Sequence, residues 1–545
     1  MPILSRGGFG KVSQSPTNPV PAPASQAGIG GSGPAPGGRT FDVADFYRGP
    51  VTETAGATVG TGGAPALDEK LRQAYFWIAN NAIISPFYDI EFHNGPNQSF
   101  SFGDSKTVLS LPSGQSYSSF VLLPLLNLVV RRRCLIVGGP GRGKTASAIL
   151  IGVLAGYPVR EVKRAIQHGQ PQMTISDLLG NPLPADMIAA DKMDDIRIAW
   201  RKWLAMRVKI IDEYNRIPTR TQSALLTVMA DNYAEILDQI YECPEAAWYL
   251  TANDDAGGGT YQVIEALRDR IDVVVKALHF NTRFLGELLE RIERDVRPET
   301  LVPPEIVFSE AEIDRINHDI RQIALPQPVR RRIEFFCSHF EFSEPAASQF
   351  EYMTKDTVKL SGVDPRELAA RDGGKDRVRD LGSQTRNGIS VRGLMTLIEF
   401  VKALAWFRGN PEVSLDDVRQ MLPFVLHDKL SQDPDSPFFE APEHAALRLD
   451  RVSWIRTLFD LSCAEYDRLD LDKDDPVAEM LAEFGRGLDG LDQATTRGRL
   501  VRIERLLAVW SKGRKLYGHL FDDLLTLKYL HQRYTNYLHW LQWQG

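Results

Sequence analysis

Cysteine is scarce in this chain: its 545 residues hold four, Cys134, Cys243, Cys337 and Cys463, with no CxxC pair among them. Thiols this scattered make neither a disulfide frame nor a zinc site, and they fit a reduced, cytoplasmic setting. Long apolar runs are also missing. The nearest, residues 120–130, falls short of the roughly 18–20 residues a membrane-spanning helix needs. It runs into Arg131-Arg132-Arg133, so it reads as a core helix feeding a buried strand, and no membrane partner is expected. The first residues lack the apolar centre of a signal peptide. Positive charge is not in excess either. A formal net charge of −7 excludes a dominant phosphate-binding surface, although a local basic patch could remain, and it makes nucleic acid an unlikely partner. HExxH, GxSxG and clustered His/Cys patterns do not occur.

What is present is an ordinary globular composition, 43% hydrophobic and 24% charged, in a chain long enough for two to four domains. About a third of residues 1–66 are Gly or Pro, too little apolar material to fold, so a disordered tail is expected there. Gly8-Phe9-Gly10-Lys11-Val12 in that tail looks like a kinase glycine loop, but no lysine-bearing strand, HRD or DFG follows. From Leu67 onward apolar strand-like runs at 134–137, 208–211, 248–250 and 271–275 alternate with helical segments. That alternation predicts a parallel sheet flanked by helices. The expected partition is an α/β core at 67–303, an all-helical lid at 304–430, a Pro/Asp/Ser-rich connector, and a further helical domain at 443–545. In the last of these, Ile503, Leu507 and Trp510 share one helical face, and Leu530, Tyr534, Tyr537 and Leu541 share another. The terminal Trp540 and Trp543 read as core or contact residues.

Chemistry concentrates in two motifs. Gly138-Gly139-Pro140-Gly141-Arg142-Gly143-Lys144-Thr145 satisfies GxxxxGK[ST], with an apolar strand entering and an Ala/Ile/Leu-rich helix leaving. Glycines let the backbone wrap phosphates with its N–H groups inward, at a helix N-terminus whose dipole favours anions. Lys144 is placed to reach the β- and γ-phosphates of ATP, and the Thr145 hydroxyl to ligate Mg²⁺. About 65 residues later, Val208-Lys209-Ile210-Ile211-Asp212-Glu213 ends an apolar strand in paired acids. Asp212 suits the metal's water shell, and Glu213 suits a general base for the attacking water.

Around these motifs the chain resembles the MoxR family of AAA+ ATPases. Asp212-Glu213-Tyr214-Asn215-Arg216-Ile217-Pro218 with Thr221-Gln222-Ser223-Ala224-Leu225-Leu226 is similar to that family's extended acidic motif, and Ser176-Asp177-Leu178-Leu179-Gly180 to the start of its helix-2 insert. Gly259-Thr260-Tyr261, Glu265-Ala266 and Asp269-Arg270 follow at the family spacing, then Gly388-Ile389-Ser390-Val391-Arg392 and the lid segments 413–418 and 425–430. The resemblance, over roughly 115–430, implies a P-loop AAA+ core with a parallel sheet, an all-helical lid and nucleotide between them. It also implies Asn253 as the sensor-1 residue orienting the water, Arg392 as the sensor-2 arginine on the γ-phosphate, and Arg270 as a finger donated to the neighbouring subunit, with Arg268 a competitor two residues away. A hexameric ring, a partner carrying a von Willebrand factor A domain, and chaperone-like remodelling or maturation of another protein come from the same resemblance. An AAA+ motor acting on nucleic acid is the alternative, and a slowly cycling ATP-binding scaffold a third. Asp254 stands where the family has proline, Tyr214 where it has an aliphatic residue, and 341–386 is long and charge-rich.

Two further clusters invite a reading. Asp470-Leu471-Asp472-Lys473-Asp474-Asp475 opens like a calcium loop, but it lacks glycine at the sixth position and has Leu481 at the twelfth, so it predicts a solvated turn. Arg330-Arg331-Arg332 predicts an exposed helical face.

Overall fold

The computed structural model describes residues 66–84, 86–103, 108–190, 192, 195–253, 263–363, 379–513 and 516–544. Residues 1–65, Asp254 and Gly259-Thr260-Tyr261 lie outside them, as does part of the 341–386 stretch.

A five-stranded parallel sheet forms the centre. Its strands are β1 (Arg133–Val137), β2 (Gln167–His168), β3 (Val208–Asp212), β4 (Ala247–Ala252) and β5 (Val273–Lys276), in the order β5-β1-β4-β3-β2. Register puts Leu135 beside both Leu250 and Val274, and Ile211 beside both Leu250 and Gln167. Strands β1 and β4 read as continuous apolar runs because both of their faces are covered. The carboxyl ends of β1, β3 and β4 therefore lie side by side, the usual place for a ligand on an open α/β sheet. Gln167–His168 is the one strand of this sheet that the apolar pattern did not announce; two residues are too few to show a period.

The principal helices of this half are α1 (Leu67–Trp77), α2 (Ser119–Val130), α3 (Lys144–Leu154), α4 (Val159–Ala165), α5 (Thr219–Asp231) and α6 (Glu265–Arg270). Helix α2 is the apolar run before the arginine triplet, and it is buried on nearly every side. Its Asn127 amide donates to the Trp248 carbonyl at 3.0 Å, and the Pro124 carbonyl accepts the Tyr249 hydroxyl at 2.8 Å. Two hairpins project beyond the sheet, 180–182 with 198–200 and 233–236 with 239–242. The first encloses a short helix whose Met187 and Ile188 are exposed.

Beyond residue 304 the described structure is helical, its principal helices being α7 (Glu310–Gln322), α8 (Gln327–Ser338), α9 (Val391–Phe407), α10 (Leu415–Leu426), α11 (Arg451–Arg468), α12 (Pro476–Gly485), α13 (Gln493–Trp510) and α14 (Gly518–Gln544). Reciprocal capping boxes at Ser309/Glu312 and Ser414/Asp417 start α7 and α10. The arginine triplet fastens this helical layer to the sheet. Arg131 pairs with Asp314 of α7, Arg132 takes Glu399 of α9 with both arms of its guanidinium, and Arg133 binds Asp272, which also accepts the Thr396 hydroxyl of α9.

Helix α11 shares the lid's core: Trp454, Ile455, Leu458 and Phe459 are buried in one cluster with Phe336 and Phe400. Helices α12–α14 surround a smaller cluster of their own that contains Ile503, Trp510, Leu530 and Tyr534. Trp540 and Trp543 are both exposed, Trp540 stacking on Tyr537. Of the three arginines expected on an open face, Arg330 is exposed, but Arg331 and Arg332 form a clasp. Arg331 reaches Asp475, and Arg332 reaches Asp467 and Asp472, so the acidic turn at 470–475 neutralises α8 and caps α12.

The start of α14 is pressed against α8. A side chain at Gly518 would come within 2.3 Å of the His339 carbonyl, and Phe521 packs on Phe342 and Phe350. One residue on, burial beside Glu341 pushes the Asp522 carboxyl up from 3.8 to about 6. A raised acid costs stability only where it must ionise. That cost is absent below pH 4, grows between pH 4 and 6, and is complete above. Asp522→Asn is expected to stabilise the chain by ~1–3 kcal/mol at pH 8 and by nothing near pH 4. Urea unfolding at the two pH values measures the difference, and equal effects at both would contradict it.

Candidate active site

The GxxxxGK[ST] segment turns from β1 into α3. Gly141 and Gly143 take left-handed φ values of 73° and 74°, which a side chain would resist. Lys144 follows, 7% exposed, with its ammonium donating to the carbonyls of Gly138 at 2.5 Å and Gly139 at 2.9 Å and to Asn253 Oδ1 at 2.8 Å. One residue on, the Thr145 hydroxyl donates to Asp212 Oδ1 at 2.7 Å. The Thr251 hydroxyl gives the same oxygen a 2.6 Å bond and accepts the Glu213 backbone N–H at 2.9 Å. Glu213 is a non-glycine residue held at φ 52°, a strained conformation of the kind that clusters at functional sites. Its carboxylate accepts the Asn253 amide at 2.8 Å and faces Arg216 at 3.2 Å. The ends of two strands and the start of one helix thus meet in one continuous hydrogen-bonded chain: Thr145, Asp212, Thr251, Glu213, Asn253, Lys144.

Beside it opens a cavity of about 490 Å³, within the range of small-molecule sites. Phosphate-loop residues 139–143 form one wall, and Ile83, Phe87, Leu150, Leu278 and Phe280 supply apolar surface suited to a flat base. Arg142 crosses the rim to the Ala277 carbonyl at 3.2 Å. The expected wall from the lid is not seen. Among the described residues every one that lines it precedes 304, because the arginine triplet and α2 hold the lid against other parts of the core.

Comparison with known proteins agrees with this geometry. The family "ATPase family associated with various cellular activities (AAA)" matches residues 133–273, and the AAA lid domain family matches 382–447. Protein MoxR of Paracoccus denitrificans is 21% identical over 316 residues, 58% of this chain and 84% of that protein. The chain thus carries an AAA ATPase domain with its lid and is similar to MoxR. A solved candidate ATPase from Cytophaga hutchinsonii covers 62% of the chain and 89% of its own length at 19% identity, with a TM-score of 0.42, a superposition too loose to bear on the assignment.

In this AAA+ chain the phosphate loop, Asp212, Glu213 and Asn253 come together, whereas the two arginines lie elsewhere. Arg392 pairs with Asp269 rather than with any residue of the phosphate loop. Arg270 is half-buried at the end of α6, bonded at 3.2 Å to the Ala266 carbonyl of its own helix, and its Nε has no hydrogen-bond partner among the described residues. Arg268 is exposed and faces Asp428. Burial opposes ionisation of that carboxyl, but His427, Arg268 and Arg451 together hold it below the usual range.

Three contributors were not found in the sequence. Thr251 organises both acids, and the register that sets it next to Asp212 was its only signal. His168 approaches Asp212 Oδ2 at 3.2 Å from the short strand β2. Gly169 is required by crowding, since a Cβ there would lie 2.2 Å from the Glu213 carbonyl.

Proposed function

We propose that this ATPase binds ATP–Mg²⁺ on residues 138–145, hydrolyses it in a ring, a hexamer by kinship, and uses the cycle to remodel or mature a partner protein. The observation that supports this best is the bonded chain from Thr145 through Asp212, Thr251, Glu213 and Asn253 to Lys144. Thr145 and Asp212 offer a hydroxyl and a carboxylate 2.7 Å apart, hard oxygen donors of the kind Mg²⁺ takes together with phosphates. When bound, that ion draws charge from the β- and γ-oxygens. Lys144 turns its ammonium from the loop carbonyls to the phosphates. Glu213 accepts a proton from the attacking water, and Asn253 orients both. Arg270 enters the neighbouring subunit's site, with Arg392 beside it as the γ-phosphate sensor.

The partition into a core at 67–303, a lid at 304–430 and a helical domain at 443–545 belongs to the same proposal. So do a cytoplasmic setting and a partner with a von Willebrand factor A domain. Among the described residues no helix is long and apolar enough to cross a membrane.

A site completed by a neighbour makes activity depend on assembly. ATPase activity per chain should rise with protein concentration in step with the ring's mass by sedimentation. Constant activity down to the monomer would remove the ring from the mechanism. Nucleic acid near physiological salt should leave the rate unchanged. A several-fold stimulation that disappears as salt rises would replace remodelling with a motor on nucleic acid.

A further inference from the structure

Arg270 stands between two residues that the lid grips. On one side, Asp269 pairs through its carboxylate with Arg392, and its carbonyl accepts the Lys429 ammonium at 2.8 Å. On the other, Asp272, 1% exposed, accepts the Thr396 hydroxyl at 2.7 Å and Arg133 of the sheet at 3.1 Å. Arg392 and Thr396 are one turn apart on α9, and Lys429 lies three residues past the end of α10. Three contacts from the lid therefore converge on residues 269–272. Thr396 and Lys429 are buried, so their bonds have no water to replace them. The described residues of the lid are absent from the walls of its own subunit's cavity and are attached to the segment that carries the arginine. A small displacement of the lid must carry residues 269–272 with it or break buried bonds.

We propose that Lys429 and Thr396 are positioning residues that make Arg270 move with the lid of its own subunit, so that the lid's setting governs the arginine offered to the next subunit. This rests on the reading of Arg270 as a finger acting in trans. Misplacing a catalytic group by an ångström costs on the order of 10²-fold in rate, so a loosened grip is expected to show in turnover rather than in nucleotide affinity.

The test uses mixed rings. Glu213→Gln chains keep the finger but cannot turn over, and Arg270→Ala chains keep the site but lack the finger; mixing them should restore part of the activity. Lys429→Met placed in the Glu213→Gln chain, the finger donor, should cut the restored rate about tenfold, while in the Arg270→Ala chain it should change it by less than about twofold. Thr396→Val, which exchanges one hydroxyl for a methyl, should repeat the asymmetry, and Lys429→Arg, which keeps a cationic donor, should relieve it. Equal loss in both arms, or no loss in the donor arm, would overturn the positioning role while leaving the finger intact. If the parent pair shows no restored activity despite proven mixing, the finger reading itself fails and the present proposal falls with it.

Discussion

Glu213→Gln is expected to stop ATP turnover, by on the order of 10³-fold, while binding ATP as well as the native chain does. The amide is the same size as the carboxylate. Its oxygen can still accept the Asn253 amide, and the backbone bond to Thr251 is untouched, so the bonded chain around the site survives. What is lost is the ability to take a proton from water. Lys144→Ala is expected to fail earlier in the cycle. It removes the buried ammonium that three oxygens of the loop and Asn253 hold in place, and with it the cation facing the phosphates. Titration with a fluorescent ATP analogue and phosphate release, measured on both variants, separate the two defects. Native-like binding by Lys144→Ala would sink the assignment of the phosphate loop, and residual turnover by Glu213→Gln within about tenfold of native would move the base elsewhere.

The parts of the site legible in the sequence are those that lie on one stretch of chain. Glycines before Lys144 and acids after an apolar strand carry their chemistry in their spacing, and the flanking apolar runs located four of the five sheet strands to within a few residues. Contributions that exist only through strand register escaped. Thr251 is unremarkable until β4 pairs with β3 and sets it next to Asp212, and Gly169 is one glycine among many until the Glu213 carbonyl crowds it. The lid illustrates the same limit. Its helices were readable from their periodicity, but its place on the core depends on Arg131, Arg132 and Arg133 finding acids between 139 and 267 residues away. The same holds for Arg331 and Arg332, which a helical wheel leaves in solvent and which the acidic turn at 470–475 covers.

Arg270→Ala is expected to lower turnover by on the order of 10³-fold in rings that still assemble and still bind ATP, because a guanidinium at the γ-phosphate offsets charge developing during phosphoryl transfer. Arg268, two residues away, is the control. Its charge is directed at Asp428, a carboxylate set among His427 and Arg451 at the end of the lid, whereas among the described residues the Arg270 guanidinium is held by a carbonyl of its own helix and has a buried Nε with no partner. Arg268→Ala should therefore cost less than about tenfold, through a loosened lid rather than a missing charge. Arg270→Lys should not restore activity, since an ammonium cannot present the planar fork that meets two phosphate oxygens at once. Phosphate release by the three variants at a concentration where sedimentation shows rings, with ATP binding measured alongside, checks the set. If Arg268→Ala proved the more damaging, the finger would lie one turn face over, and the grip of the lid on Asp269 and Asp272 would hold a structural corner instead of a catalytic arginine.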